Sequence, residues 1–111
     1  MRTGFAFFLL AAASILAMPT GAQAADDFAL SLTDHKFEPA EIKVPANKRV
    51  TITLTNNDAT PEEFDSSALK VEKVVPGKSK GIIRIGPLKP GRYSFIGEYH
   101  EDTAKGVVIA E

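Results

Sequence analysis

The feature that most constrains the fold of this chain is a strict alternation of apolar and polar residues in short segments. Residues 50–55 read VTITLT, and residues 28–33 read FALSLT. Apolar residues at every second position line one face of a β-strand, and β-branched threonine suits the opposite face of a pleated sheet. No segment after residue 24 shows a sustained helical period. The sequence therefore predicts an all-β domain.

Turn residues divide the chain into further short segments. The turns contain proline with glycine or asparagine: Pro45-Ala46-Asn47, Pro76-Gly77, Gly86-Pro87 and Pro90-Gly91. The strand-like segments between them cover residues 42–44, 71–75, 82–85, 93–95 and 107–110. About seven or eight short strands at this spacing indicate a β-sandwich or barrel. Residues 59–69 are acidic and interpreted as irregular, with a helical turn predicted near residues 66–69, because serine is a favourable helix cap.

The N-terminal segment predicts export. Arg2 precedes an apolar run over residues 5–18, FAFFLLAAASILAM. This run is too short for a bilayer, which needs about 18 or more apolar residues, but it fits the apolar region of a secretory signal peptide. Ala22-Gln23-Ala24 supplies the small-x-small cleavage pattern. We assign residues 1–24 to a signal peptide and 25–111 to one periplasmic domain, with a retained membrane anchor as the alternative.

Composition excludes several classes of function. The chain has no cysteine, which removes disulfides and a cysteine nucleophile, and no serine lies in a nucleophile-elbow motif. Its 13 basic and 14 acidic residues give a net charge of −1. Nucleic-acid binding requires a clustered basic surface, so nucleic acid is not an expected partner. Hydrolysis is likewise not expected.

The segment 97–106, GEYHEDTAKG, is the first candidate for chemistry. If it is extended, residues two apart share a face, so Glu98, His100 and Asp102 would project together. Carboxylates gathered around an imidazole suggest a metal ion. The alternative is that His100 is only a solvated residue near a strand end.

Two further segments carry candidate ligands. Glu62, Glu63 and Asp65 form an acidic cluster around Phe64, and His35 is the only histidine besides His100. Burial of Phe64 would hold its acidic neighbours at the edge of the core. The alternative is an exposed acidic loop.

The order and spacing of the strand and turn residues resemble those of a cupredoxin over nearly all of residues 25–111. The matching pieces are Phe37-x-Pro39, Ile42-x-Val44, Val50-x-Ile52-x-Leu54, Asn56-Asn57-Asp58 and Pro90-Gly91-x-Tyr93-x-Phe95. The resemblance implies a Greek-key β-sandwich whose end carries a copper site. Here Gly97 stands at the expected cysteine and His100 at the following histidine. Glu62 or Glu63 replaces the upstream histidine, and residues around Ala104 replace the axial methionine.

These replacements change the metal chemistry that the resemblance implies. Blue copper requires a thiolate, whereas carboxylates with imidazoles suit Cu(II), iron or Mn(II). The chain looks more similar to the cupredoxin-like domain of the EfeO class of periplasmic iron-uptake proteins, in which the segment matching Glu63-Phe64-Asp65 is also acidic-aromatic-acidic. The topology of the fold would gather His35, Glu62 or Glu63, Glu98 and His100 at one end.

The resemblance implies an accessory protein that binds copper or iron during iron uptake. Its partners would be an inner-membrane iron permease and a periplasmic iron-binding protein. Two alternatives stay open. One is a copper-dependent ferroxidase component, which would consume Fe(II) catalytically. The other is an interaction module that keeps the scaffold without a metal.

The cleavage pattern makes the first testable prediction. Export should release a chain that begins at Ala25, because Ala22-Gln23-Ala24 is the first small-x-small pattern after the apolar run. Intact mass spectrometry of the protein from a periplasmic fraction measures this directly. A mass corresponding to all 111 residues would contradict the prediction.

Overall fold

The computed structural model describes residues 26–111, so the predicted signal peptide lies outside the described residues. This part of the chain forms nine strands and one 3₁₀ turn at Glu98–His100. The strands are β1 Asp27–Thr33, β2 Lys36–Glu38, β3 Glu41–Val44, β4 Val50–Asn56, β5 Glu62–Ser66, β6 Val71–Val75, β7 Ser79–Ile85, β8 Gly91–Gly97 and β9 Lys105–Ala110. Residues 26–111 contain no helix long and apolar enough to cross a membrane.

The strands form two sheets. One has the order β2-β1-β4-β7, and the other has the order β3-β9-β8-β5-β6. β1 pairs with β4 in parallel, as does β3 with β9, and the remaining neighbours are antiparallel. The predicted all-β fold of two packed sheets is confirmed, with nine strands where the sequence indicated about seven or eight.

The core lies between the sheets and follows the alternation in the sequence. In β4 the side chains of Val50, Ile52 and Leu54 are buried, whereas the intervening threonines are half-buried. Three phenylalanines from different strands pack at the centre: the ring centroids of Phe64 and Phe95 are 4.7 Å apart, and those of Phe37 and Phe95 are 5.1 Å apart. Since the chain has no disulfide, this burial is the main favourable contribution to folding.

The interpretation of residues 59–69 as irregular is wrong for residues 62–66, which form β5. This strand pairs with β6 on one side and β8 on the other. Phe64 points into the core, while Glu63 and Asp65 are only half-buried. The charged residues obscured an ordinary strand alternation. A turn follows at residues 67–70, where the backbone N–H of Leu69 donates to Ser66 Oγ at 2.9 Å.

A buried asparagine fixes the connection that leads into β5. The Asn56 side chain is 0 % exposed. Its Nδ2 donates to the carbonyl oxygens of Thr60 at 2.9 Å and Val75 at 3.1 Å, and its Oδ1 accepts from the Asp58 N–H at 3.0 Å. Buried backbone carbonyls need such partners. These hydrogen bonds tie the β4–β5 loop to the end of β6 and set where β5 begins.

The phenylalanine cluster makes the second prediction. Phe64→Ala should lower the free energy of unfolding by about 3–5 kcal/mol, because it leaves a cavity beside two other rings. Urea denaturation measures the loss. Val74→Ala is the control, since that side chain is 47 % exposed and its truncation should change stability by no more than about 0.5 kcal/mol. Equal effects of the two substitutions would contradict the assigned core.

Candidate functional site

The central group of the site is a buried carboxylate. Glu62 is the first residue of β5, and its side chain is 0 % exposed. Its Oε1 accepts hydrogen bonds from the backbone N–H groups of Glu63 at 3.0 Å and Tyr99 at 2.9 Å. Its Oε2 lies 2.5 Å from His100 Nδ1. A carboxylate is buried only when it is paired and hydrogen-bonded, and Glu62 meets this requirement at both oxygens.

His100 is held by the tight turn that follows β8. Its carbonyl oxygen accepts from the N–H groups of Ala104 at 2.8 Å and Thr103 at 3.1 Å. Its side chain is 26 % exposed, so one part of the ring reaches solvent. The expectation that Glu98, His100 and Asp102 share a face of an extended segment is wrong, because residues 98–100 form a 3₁₀ turn. With three residues per turn, residues two apart point in different directions.

His35 comes from the distant β1–β2 connection and stacks on His100. The two ring centroids are 3.5 Å apart, and the ring planes differ by 14°. The hydroxyl of Thr103 donates to the His35 carbonyl oxygen at 2.7 Å, which joins the β1–β2 turn to the β8–β9 connection. The site therefore brings together His35, Glu62 and His100 from three segments that are far apart in the sequence.

Asp58 positions His35, and sequence reasoning missed this role. Its two carboxylate oxygens accept from the backbone N–H groups of Asp34 at 2.7 Å and His35 at 3.0 Å. Both donors have positive φ angles, 53° and 61°, so the carboxylate stabilises an unusual turn. Burial alone would raise the pKa of Asp58. The His35 and Asp34 hydrogen bonds and the nearby His35 and His100 rings outweigh it, so the pKa is lowered.

Asp58 could have been found from one signal. An Asp or Asn just beyond a strand commonly hydrogen-bonds a backbone turn, and Asp58 follows the end of β4. The sequence does not reveal which turn it contacts, because the acceptor and its donors are 23 and 24 residues apart.

Glu63 and Glu98 form a second, separate pair of carboxylates. A hydrogen bond between their side chains raises the pKa of Glu63 to about 7, and burial and the charges of Glu98, Glu72 and Asp65 act in the same direction. Glu63 is half-buried and Glu98 is exposed. The sequence left open whether Glu62 or Glu63 lies at the site. It is the Glu62 carboxylate that contacts His100.

The residues present do not fit a blue-copper centre. There is no cysteine, and a Cβ atom on Gly97 would lie 2.7 Å from Glu62 Cδ. The carboxylate thus occupies the space that a side chain at position 97 would need. What the site offers is a carboxylate with imidazoles. Within residues 26–111, no three or more His, Cys, Asp or Glu side chains are grouped closely enough to hold a metal ion as they stand.

Comparison with known families decides the relationship that the fold and this site suggest. Residues 6–110 match the family model described as a cupredoxin-like domain. The chain belongs to this family. A relative in Rickettsia prowazekii (strain Madrid E) is 43 % identical over 81 residues, which is 72 % of this chain and 64 % of the relative, and it is named an uncharacterized protein. This cupredoxin-like chain thus spans less than two thirds of that relative.

Solved structures similar to this one include copper proteins. Auracyanin A, a "blue" copper protein from Chloroflexus aurantiacus, matches with a TM-score of 0.65 and 15 % identity over 77 % of this chain and 98 % of that one. An oxidized amicyanin mutant matches with 0.62 and 18 % over 77 % and 82 %. A chain of a heme-copper terminal oxidase dimer matches with 0.66 and 20 % over 81 % and 67 %. At these identities the likeness establishes a shared fold.

The Glu63–Glu98 pair makes the third prediction. The pKa of Glu63 is about 7 in the folded protein against 4.5 for an ordinary glutamate, so the folded state retains a proton that the unfolded state loses. This contribution to stability is present below about pH 4.5 and is lost as the pH rises through about 7. Glu63→Gln mimics the protonated form, so it should match the wild type at low pH and become the more stable protein above pH 7.

Urea denaturation of both proteins at several pH values between 4 and 8 measures this difference. Glu101→Gln, in the exposed turn after His100, is the control and should follow the wild type throughout. A stability difference between Glu63→Gln and the wild type that does not vary with pH would show that the two carboxylates do not share a proton.

Proposed function

We propose that this chain is a periplasmic accessory protein of iron uptake that takes an iron or copper ion as its cargo at His35, Glu62 and His100. The observation that carries the proposal is the contact of a fully buried carboxylate with a partly exposed imidazole, at 2.5 Å between Glu62 Oε2 and His100 Nδ1. A buried acid next to a solvent-reachable histidine is a costly arrangement for packing alone.

The chemistry of the donors supports this class of ion. Carboxylate oxygen suits Mn(II) and similar hard ions, and imidazole nitrogen suits iron, copper, nickel and zinc. The site holds one buried carboxylate and two imidazoles, and it holds no thiolate. Glu63 and Glu98 interact with each other and are not counted in this set. Such a set favours Fe(II), Fe(III) or Cu(II) over Cu(I), which prefers sulfur ligands.

Other features support the proposed location and partners. The apolar segment before residue 25 supports export to the periplasm. The resemblance of Glu63-Phe64-Asp65 to the EfeO class supports a place beside an inner-membrane iron permease and a periplasmic iron-binding protein. The cupredoxin-like family and the fold shared with a "blue" copper protein support copper as a bound species.

A second candidate is a metal-free interaction module on the same scaffold. The specific observation in its favour is that both oxygens of Glu62 already have hydrogen-bond partners. In this reading the Glu62–His100 contact stabilises the end of the sandwich in place of a metal ion.

Metal titration makes the fourth prediction and separates the two candidates. His100→Ala should weaken binding of Cu(II), Mn(II) and anaerobic Fe(II) at least about tenfold, since even the loss of a group that only supports a ligand costs about 10–100-fold. His35→Ala should act in the same direction. Isothermal titration calorimetry at one pH and salt concentration measures the affinities, and Glu101→Ala, an exposed residue of the same turn, should bind like the wild type.

Equal affinities of His100→Ala and the wild type, or no binding by either, would contradict the metal-binding proposal and favour the interaction module. Urea denaturation of the same variants checks that each apo protein is folded. Repeated turnover of Fe(II) in air by the copper-loaded wild type would instead identify a ferroxidase.

A further inference from the structure

The backbone at Gly97 gives no reason for a glycine. Its φ and ψ angles are −95° and 106°, an extended conformation that every residue adopts readily. Its N–H donates to the Ala104 carbonyl oxygen at 2.9 Å, as any residue except proline could. The need for glycine at this position must therefore come from the space around it.

That space is filled by Glu62. A Cβ atom at position 97 would lie 2.7 Å from Glu62 Cδ, 3.0 Å from its Oε2 and 2.8 Å from Ala104 Cβ. Carbon atoms in contact are normally about 3.5–4.0 Å apart. The carboxylate cannot move aside freely, because it is 0 % exposed and hydrogen-bonded to Glu63, Tyr99 and His100. A side chain at position 97 is therefore sterically incompatible with the present position of the Glu62 carboxylate.

We infer that Gly97 is a specificity-determining residue, which selects an oxygen-containing donor set by leaving room for the Glu62 carboxylate beside His100. The inference rests on the proposed metal-binding function. Gly97 itself supplies no ligand. It acts by admitting Glu62, so any side chain at position 97 should displace the carboxylate and leave the imidazoles as the remaining donors.

This assignment has a consequence for the choice of ion. Mn(II) prefers carboxylate oxygen, whereas Ni(II) is well served by imidazole. With Glu62 beside His100, the site should accept both ions. After displacement of the carboxylate it should lose affinity for Mn(II) more than for Ni(II), a change in selectivity that general destabilisation does not produce.

The test compares Gly97→Ala with Gly91→Ala. Gly91 begins the same strand, and a Cβ there would meet no atom closer than 3.6 Å, so it is a matched control. The first readout needs no metal. The backbone N–H groups of Glu63 and Tyr99 report on Glu62 Oε1, and their amide resonances should move in the ¹H–¹⁵N spectrum of Gly97→Ala and stay in place in Gly91→Ala.

The second readout is calorimetric titration with Mn(II) and with Ni(II). Gly97→Ala should lose at least about tenfold in Mn(II) affinity, the scale of removing a group that supports a metal site, with a smaller loss for Ni(II). Unmoved Glu63 and Tyr99 amides with an unchanged affinity ratio would overturn the inference. If the wild type binds neither of these ions nor Cu(II) and Fe(II), the proposed function fails, and the amide resonances still decide whether position 97 controls the carboxylate.

Stability measurements separate the contact with Glu62 from the contact with Ala104. In a double-mutant cycle of Gly97→Ala and Glu62→Ala, the Ala104 contact is common to both backgrounds, so the coupling energy reports the Glu62 contact. Gly97→Ala should be less destabilising when Glu62 is also alanine. If Gly97→Ala does not fold, the double variant should. If Gly97→Ala is equally destabilising in the wild-type and the Glu62→Ala backgrounds, the conflict lies at Ala104 and the inference is overturned.

Discussion

The end of this sandwich is organised around one buried carboxylate. An ionised group at zero exposure is very costly unless each oxygen has a partner, and Glu62 obtains its partners from its own strand and from the turn after β8. The position of that turn therefore depends on the carboxylate. His35 stacks on His100, so the β1–β2 connection depends on it as well. The turn after β8 and the β1–β2 connection are thus both placed by contacts that lead back to Glu62.

The scaffold beneath this group is held together without disulfide cross-links. Three phenylalanines from β2, β5 and β8 pack together between the sheets. Polar side chains then hold the connections at the end: Asn56 fixes the loop into β5, and Asp58 fixes the turn that carries His35. Side chain to backbone hydrogen bonds of this kind satisfy loop groups that no sheet can pair. They hold the imidazoles in place without help from a disulfide.

The family relationship and the site differ in what they imply. The chain has the fold of proteins that bind copper, yet the space over Gly97 contains a carboxylate and no sulfur. A fold can keep its architecture while the chemistry of its site changes. Here Glu62 and position 97 are sterically linked, since a Cβ atom at position 97 would overlap the Glu62 carboxylate.

The sequence by itself determined the class of the fold and most of the strands. Alternation such as VTITLT over residues 50–55 and the proline–glycine turns are local signals, and local signals survive without tertiary context. Local reasoning failed at two places. At β5 the acidic residues led to the prediction of an irregular segment where a strand forms. At residues 98–100 a segment predicted to be extended forms a 3₁₀ turn.

Only the tertiary structure decided which candidates meet. Glu62 and His100 are 38 residues apart in the chain, and nothing in the spacing reveals that a carboxylate fills the room above a glycine. That arrangement depends on how β5 pairs with β8 and on the space left between their side chains. This space is a property of tertiary packing, and the sequence pattern does not reveal it. The same holds for Glu63, whose pKa is raised because β5 places it beside Glu98.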